Sequence, residues 1–183
     1  YPQGKIVVND LICGECVFER EALGPEPVLV RSNGIPTYHL ASVSDDVAMQ
    51  ITHVIRGADH LTNTAKQKLI FEGLSGEVPI FAHLPLLLGK DGGKLSKRNS
   101  EALVSLVDFR SSGYLREAII NFLLLLGWSH PEAKEILSLD EAIASFDLSR
   151  VGRTGALFDT TKLNYLNGWW IRHIPVEQLA GLM

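Results

Sequence analysis

The chain has little of what membrane-spanning, secreted or disulfide-stabilised proteins contain. Its 183 residues include only two cysteines, and aromatic residues make up 8% of the chain. No apolar run reaches the ~18 residues that a membrane helix needs, and the longest, residues 119–127, fits an amphipathic helix. The chain has no signal-peptide layout at its start and does not begin with methionine. We expect a cytoplasmic globular protein without membrane contact, whose natural N-terminus lies upstream.

The two cysteines form a single C-x-x-C pair, Cys13 and Cys16. Structural zinc sites usually combine two such pairs, and a redox pair leads into a helix of a βαβ unit. Here β-branched and aromatic residues at 6–8 and 17–18 flank the pair, which predicts a β-hairpin with Gly14 in its turn. We therefore expect neither protein-bound zinc nor redox chemistry.

Charge gives a mixed indication about partners. The formal net charge is -4, and a nucleic-acid-binding protein is more often basic. Four basic residues nevertheless cluster at Lys90, Lys94, Lys97 and Arg98. A local patch of this kind can hold phosphate whatever the overall charge.

Hydrophobic residues make up 46% of the whole chain, which is enough to build a core. In the first half of the chain, strand and helix signals alternate. The predicted strands are 28–31, 53–56 and 80–88, and the predicted helices are 38–49 and 63–73. The apolar run 80–88 is typical of a buried parallel strand. The alternation predicts a doubly wound parallel sheet, in which ligands bind beyond the carboxyl ends of the strands.

Helical signals dominate from Glu101 onward. Apolar periodicity predicts a helix over 114–126 that ends at Gly127, and Ser138 with Glu141 forms a capping box. A further helix begins at Asp159 or Thr160 and ends before Pro175. The predicted fold class is α/β, with the second half of a doubly wound, Rossmann-like sheet followed by an α-helical bundle.

A glycine-rich loop at residues 89–98 follows the predicted buried strand. Such a loop can close over a polyphosphate, and its lysines then neutralise charge that develops on phosphate oxygens. An arginine adds a planar fork for phosphate. From charge alone, a solvated basic surface loop is the favoured alternative.

The order of residues in this loop carries a family resemblance. Residues 94–98, K-L-S-K-R, resemble the KMSKS signature of class I aminoacyl-tRNA synthetases. Four more segments are similar, in order, to those of bacterial-type glutamyl-tRNA synthetases: 32–41, 52–57, 81–88 and 158–168. They read S-N-G-I-P-T-Y-H-L-A, T-H-V-I-R-G, F-A-H-L-P-L-L-L and F-D-T-T-K-L-N-Y-L-N-G.

The resemblance implies ATP-dependent ligation of L-glutamate to tRNA(Glu) through a glutamyl-adenylate, with Mg²⁺ accompanying ATP. Family members carry an HIGH motif and an anticodon-binding domain, and neither has a counterpart in this sequence. We therefore expect part of a longer, monomeric enzyme, inactive alone. Its parts are expected to be the end of the acceptor-binding insertion, the second half of the catalytic domain and a helical stem-contact domain, at 1–30, 31–100 and 101–183.

The resemblance also assigns site residues. Arg56 matches the arginine that pairs with the glutamate side-chain carboxylate, and Tyr38 and Ser42 match the same pocket, where many members have asparagine in place of the serine. ATP contacts fall on Asp59, His60, Leu61 and Lys97. The catalytic loop residues are Lys94, Ser96, Lys97 and Arg98. No metal ligand is expected.

Alternative interpretations remain both for individual residues and for the function. Without the resemblance, Arg56 would be a surface arginine and Tyr38 a core aromatic. Asp45 and Asp46 are better interpreted as a helix surface than as an acid–base pair. The alternative functions are glutamylation of a modified tRNA base and a non-catalytic fragment that binds RNA or a partner. Candidate tRNA contacts are Arg116, Lys162 and Arg172.

Overall fold

The computed structural model describes most of the chain, namely residues 4–89, 91–95 and 105–181, apart from the side chain of Gln178. The predictions for Ser96, Lys97 and Arg98 lie outside the described residues, as does that for Lys90. The chain divides into two compact units, Tyr1–Leu84 and Pro85–Met183. The three-part organisation expected from the sequence stays a prediction.

The first unit is built on a four-stranded sheet. Its strands are β1 (Lys5–Asp10), β2 (Gly14–Glu19), β3 (His53–Gly57) and β4 (Ile80–Leu84). The order is β2-β1-β4-β3, with β1 and β2 antiparallel and the other two pairings parallel. The predicted hairpin is confirmed, and Gly14 takes the positive φ of 79° that its turn requires.

Two helices pack against this sheet, α1 (Tyr38–Ala48) and α2 (Leu61–Gly73), the latter preceded by a 3-10 turn at Ala58–His60. Both agree with the predicted helices within two residues. The buried core joins sheet and helices through Val8, Val43, Ile70, Phe71 and Phe81. The predicted α/β class is confirmed, with parallel pairing dominant in the sheet.

Two predicted strands were wrong. The run 28–31 makes only an isolated antiparallel bridge between Val30 and Pro36, because the chain reverses at Gly34, whose φ is 81°. The second strand that pairs parallel to β4 is β1, from the hairpin.

The run 80–88 is not one long strand. β4 ends at Leu84, and Leu87–Leu88 (β5) pairs instead with Ala156–Leu157 (β6) in the second unit. Pro85 lies between the two strands, and proline has no N–H to donate to a sheet ladder.

The second unit is helical around that two-stranded sheet. Its helices are α3 (Leu106–Ser111), α4 (Arg116–Leu125), α5 (Leu139–Ser145), α6 (Thr160–His173) and α7 (Val176–Ala180). α4 packs on α6, and the core contains Phe109, Phe122, Phe158, Leu163 and Leu166. Within the described ranges, no helix is long and apolar enough to cross a membrane.

Helix ends in this unit follow the predicted signals. The capping box is present: Glu141 N–H donates to Ser138 Oγ at 3.2 Å, and Ser138 N–H donates to Glu141 Oε2 at 2.9 Å. Asp159, not Thr160, caps α6 and accepts from the Thr161 N–H at 2.8 Å. Pro175 follows the end of α6, as predicted.

Candidate functional site

Three polar side chains meet at the carboxyl ends of the parallel strands. Asp10 is the last residue of β1, and Arg56 and His83 are neighbours in register near the ends of β3 and β4. This edge is where open α/β sheets bind ligands. The sequence predicted Arg56 there, but it did not predict the other two.

The guanidinium of Arg56 is fixed by hydrogen bonds to the protein. Nη2 donates to Thr64 Oγ1 and to Gln67 Oε1, each at 2.7 Å, and Nε donates to His83 Nε2 at 3.2 Å. Among the described residues, the remaining nitrogen, Nη1, bonds only to the Tyr38 hydroxyl, at 3.4 Å. Nη1 is therefore the nitrogen best placed to donate to a ligand.

Arg56 carries its charge in an environment that disfavours it. Burial lowers the pKa of Arg56, while Tyr38 and Asp46 act in the opposite direction. Burial also raises the pKa of Asp46, although Arg56 pulls it down. Among the described residues, no carboxylate forms an ion pair with Arg56. Desolvating a cation without pairing it with an anion is costly, so this partly buried arginine favours an anionic ligand.

Asp10 and His83 form a buried pair next to Arg56. Asp10 Oδ2 lies 2.6 Å from His83 Nδ1, and both side chains are 0% exposed. Asp10 Oδ1 accepts from the backbone N–H groups of Ile12, Cys13 and His83, at 2.9, 2.8 and 3.2 Å. Burial alone would raise the pKa of Asp10, but these hydrogen bonds outweigh it and lower the pKa below its ordinary value. Asp10 is therefore a carboxylate.

Tyr38 and Ser42 lie one turn apart on the same face of α1. Tyr38 is 52% exposed, so a ligand can approach this residue. Ser42 Oγ accepts from Gln67 Nε2 at 2.9 Å, which links it to Arg56 through the other end of the amide. The structure thus brings together the three residues predicted for glutamate, although Ser42 contacts Arg56 only indirectly.

His39 lies next to Tyr38, with ring centroids 5.4 Å apart. Its Nδ1 is buried and has no hydrogen-bond partner among the described residues. Burial lowers the pKa of His39, and the nearby charges of Lys66 and Arg56 lower it further.

The residues predicted for ATP adjoin the arginine site. Asp59 and His60 lie in the 3-10 turn directly after β3, and Leu61 begins α2. The His60 carbonyl accepts from Arg56 Nη2 at 3.4 Å, and its ring lies 6.2 Å from that of Tyr38. All three therefore lie at the carboxyl end of one strand.

Lys94 belongs to the second unit, where it is exposed and forms a bridge with Leu88. The base of its loop is a small hairpin in which Gly89 N–H donates to the Gly93 carbonyl at 2.8 Å. Leu95 N–H donates to the Leu87 carbonyl at 2.8 Å, and its side chain packs on the core of this unit. The hairpin anchors the start of the K-L-S-K-R segment.

Sequence reasoning missed four polar residues around Arg56, namely Asp10, Thr64, Gln67 and His83. His83 carried a usable signal, because a histidine inside an apolar strand needs a buried partner. Thr64 and Gln67 are spaced to share one face of a helix, which is a weaker signal. The role of Asp10 had no local signal, since its partner is distant in sequence.

Cys13 and Cys16 form no disulfide, and their Sγ atoms lie near backbone carbonyls: Cys13 near that of His83 at 3.7 Å and Cys16 near that of Gly14 at 3.6 Å. Within the part of the chain that the structure describes, no cluster of His, Cys, Asp and Glu could hold a metal ion.

Comparison with known sequences gives a consistent result. Residues 2–165 match the family described as tRNA synthetases class I (E and Q), catalytic domain. The chain is 47% identical over 182 residues to the glutamate–tRNA ligase of Carboxydothermus hydrogenoformans. The match covers 99% of this chain and 37% of that protein, so the chain spans little more than a third of its relative.

Solved structures agree. A glutamate tRNA ligase from Elizabethkingia meningosepticum, in complex with its amino acid, superposes with a TM-score of 0.86 at 38% identity, over 94% of this chain and 38% of that one. The glutamate-tRNA synthetase of Elizabethkingia anophelis gives 0.89 at 36% identity, over 99% and 40%. The chain therefore belongs to the catalytic-domain family of class I tRNA synthetases for glutamate and glutamine.

Proposed function

We propose that the natural gene product containing this chain ligates L-glutamate to tRNA(Glu), using ATP and passing through a glutamyl-adenylate. The observation that supports this most is Arg56, a partly buried cation whose Nη1 points to an accessible tyrosine hydroxyl. An anionic side chain of the substrate would supply the negative charge that pairs with Arg56.

The substrate's side-chain carboxylate would accept a hydrogen bond from Arg56 Nη1 and a second one from the Tyr38 hydroxyl. A bidentate arginine–carboxylate contact would take two donor nitrogens of the guanidinium. The donors Nε and Nη2 already bond to His83, Thr64 and Gln67, so this arrangement uses the tyrosine as the second donor. Glutamine would place an amide N–H near one of these donors, which disfavours its binding.

ATP would bind beside this pocket, next to Asp59, His60 and Leu61. The glutamate α-carboxylate attacks the α-phosphate in line, and pyrophosphate leaves. Lys94 and Lys97 would stabilise the charge on the leaving group, with Ser96 and Arg98 shaping the loop. Mg²⁺ would enter with the ATP phosphates, and no protein-bound zinc is expected.

The remaining expectations concern the whole protein. It would act in the cytoplasm as a monomer, with residues 1–30 at the end of the acceptor-binding insertion and residues 101–183 as the stem-contact part. Arg116, Lys162 and Arg172 are candidates for the tRNA backbone. Arg116 and Lys162 also pair with Glu117 and Glu135 within the chain.

The test is tRNA charging with labelled glutamate, run on the natural gene product beside the 183-residue chain. Charging by the gene product with glutamate but not glutamine supports the proposal. The chain alone is expected to be inactive. If the gene product charges no tRNA, glutamylation of a tRNA base or simple RNA binding becomes the better explanation.

A further inference from the structure

The buried pair of Asp10 and His83 has no part in the proposed chemistry, yet it contacts the residue on which that chemistry depends. We propose that Asp10 holds His83 in one neutral tautomer, and that His83 in turn aims Arg56 Nη1 at the substrate carboxylate. Both are positioning residues, since both side chains are fully buried and His83 acts through Arg56. The identity of the ligand in this inference rests on the proposed function, whereas the tautomer of His83 does not depend on it.

The positions of the protons follow from the donors and acceptors around His83. Asp10 is a carboxylate and can only accept, so His83 Nδ1, 2.6 Å from it, carries a proton. Arg56 Nε can only donate, so His83 Nε2, 3.2 Å from it, must be unprotonated. Both neighbours require the same neutral tautomer. An imidazolium, or the other tautomer, would set an N–H against the N–H of Arg56.

The contact between His83 and Arg56 matters because it fixes the guanidinium at a second nitrogen. Thr64 and Gln67 hold Nη2, and His83 holds Nε. A planar group held at two nitrogens cannot turn in its plane, so Nη1 points in one direction. Thr64 Oγ1 also lies 3.1 Å from His83 Nε2, which ties the two contacts together.

Asp10 also has a structural role that an experiment must separate from positioning. Its Oδ1 holds the turn after β1 through the backbone N–H groups of Ile12 and Cys13. Asp10→Asn keeps this oxygen and replaces only Oδ2 by an NH₂ group. The opposite amide orientation is disfavoured, because it would set the NH₂ against three backbone N–H groups. The substitution therefore makes His83 Nδ1 an acceptor and moves its proton to Nε2, toward Arg56. A buried aspartate fixes a histidine tautomer in the same way in serine proteases.

The first measurement is the tautomer itself, by ¹⁵N–¹H correlation of labelled histidine in the natural gene product. We expect Nδ1–H in the wild type and Nε2–H in Asp10→Asn. An imidazolium or an Nε2–H in the wild type overturns the proposal. This result does not depend on activity. It therefore stands or falls separately from the proposed function, which fails if the wild type charges no tRNA with glutamate.

The second measurement is kinetic, in the gene product. Asp10→Asn should raise the KM for glutamate about tenfold or more, as expected for loss of a hydrogen bond to a charged group, while the KM for ATP stays within about twofold. A parallel rise in both constants would indicate a structural defect and overturn the proposal.

Two variants of His83 provide a matched pair. In His83→Gln the amide oxygen takes the place of Nε2 and can accept from Arg56, whereas in His83→Asn the shorter amide stays near Asp10 and leaves Arg56 Nε without an acceptor. We expect the glutamate KM of the Asn variant to exceed that of the Gln variant about tenfold. Equal values in two folded variants would contradict the positioning role.

Discussion

At the scale of single residues, Arg56 differs from a surface arginine in how many of its N–H groups the protein uses. The N–H groups of Nε and Nη2 bond to His83, Thr64 and Gln67, and Nη1 points to the Tyr38 hydroxyl. A substitution at Arg56 therefore changes both the charge and a network of buried acceptors. The two effects can be separated by comparing substrates.

Arg56→Lys should weaken the use of glutamate much more than the use of ATP. An ammonium keeps the charge, but its single nitrogen cannot occupy the three positions at which Nε, Nη1 and Nη2 make their contacts. We expect a rise in the glutamate KM of about 10- to 100-fold in steady-state charging kinetics. Arg153→Lys, the same change at an exposed arginine of the second unit, serves as control. An equal loss toward both substrates would show a folding defect instead.

Tyr38→Phe tests the second donor of the proposed pocket. The ring stays, with its contacts to His39 and His60, and only the hydroxyl near Arg56 Nη1 is removed. We expect glutamate binding to weaken by about 1–3 kcal/mol, and the preference for glutamate over glutamine to fall. Competition between the two amino acids in a charging assay measures this. An unchanged preference would remove Tyr38 from the proposed contacts.

At the scale of elements, local signals predicted α1, α2 and the helix caps, because side-chain periodicity and capping depend on near neighbours. The pairing of strands depends on distant segments, so the runs 28–31 and 80–88 were misassigned. Pro85 was the one local indication that the second run divides. The same limit applies to the site. Arg56 was found through a sequence motif, whereas the Asp10–His83 pair joins residues 73 positions apart and needed the fold.

The cap of α5 offers a stability prediction at this scale. Ser138→Ala removes the side-chain acceptor for the Glu141 N–H, so the free energy of unfolding should fall by about 1 kcal/mol. Urea denaturation followed by tryptophan fluorescence measures it. Ser111→Ala, at the exposed end of α3, makes the same chemical change away from an N-terminus and should have little effect. Similar losses in both variants would argue against the capping contribution.

The partner residue in this box adds a pH dependence. Hydrogen bonds from Ser138 lower the pKa of Glu141, so the folded state favours its carboxylate. This stabilisation is present above the ordinary glutamate pKa of about 4.3 and disappears as the pH falls through the lower folded value. The Tm of Glu141→Gln should therefore be lower than that of the wild type at neutral pH, and the two Tm values should converge in acid. A difference that persists at low pH would mean that the charge is not responsible.

At the scale of the whole molecule, each unit has its own core and its own natural probe. The cysteines, Cys13 and Cys16, lie in the first unit, and the tryptophans, residues 128, 169 and 170, lie in the second. Thiol reactivity therefore reports unfolding around the Arg56 site, and tryptophan fluorescence reports unfolding of the helical unit. No labelling is needed to follow the two units separately.

Two core substitutions should move these probes independently. Phe122 packs edge-on against Phe158 at 5.0 Å in the second core, and Phe122→Ala should cost about 3–5 kcal/mol there. Val43 is fully buried in the first core, and Val43→Ala should cost about 2 kcal/mol. We expect the first variant to shift mainly the fluorescence transition and the second mainly the thiol transition. If either variant shifts both probes equally, the units unfold as one cooperative body, and a lesion in the helical unit would then also reach the arginine site.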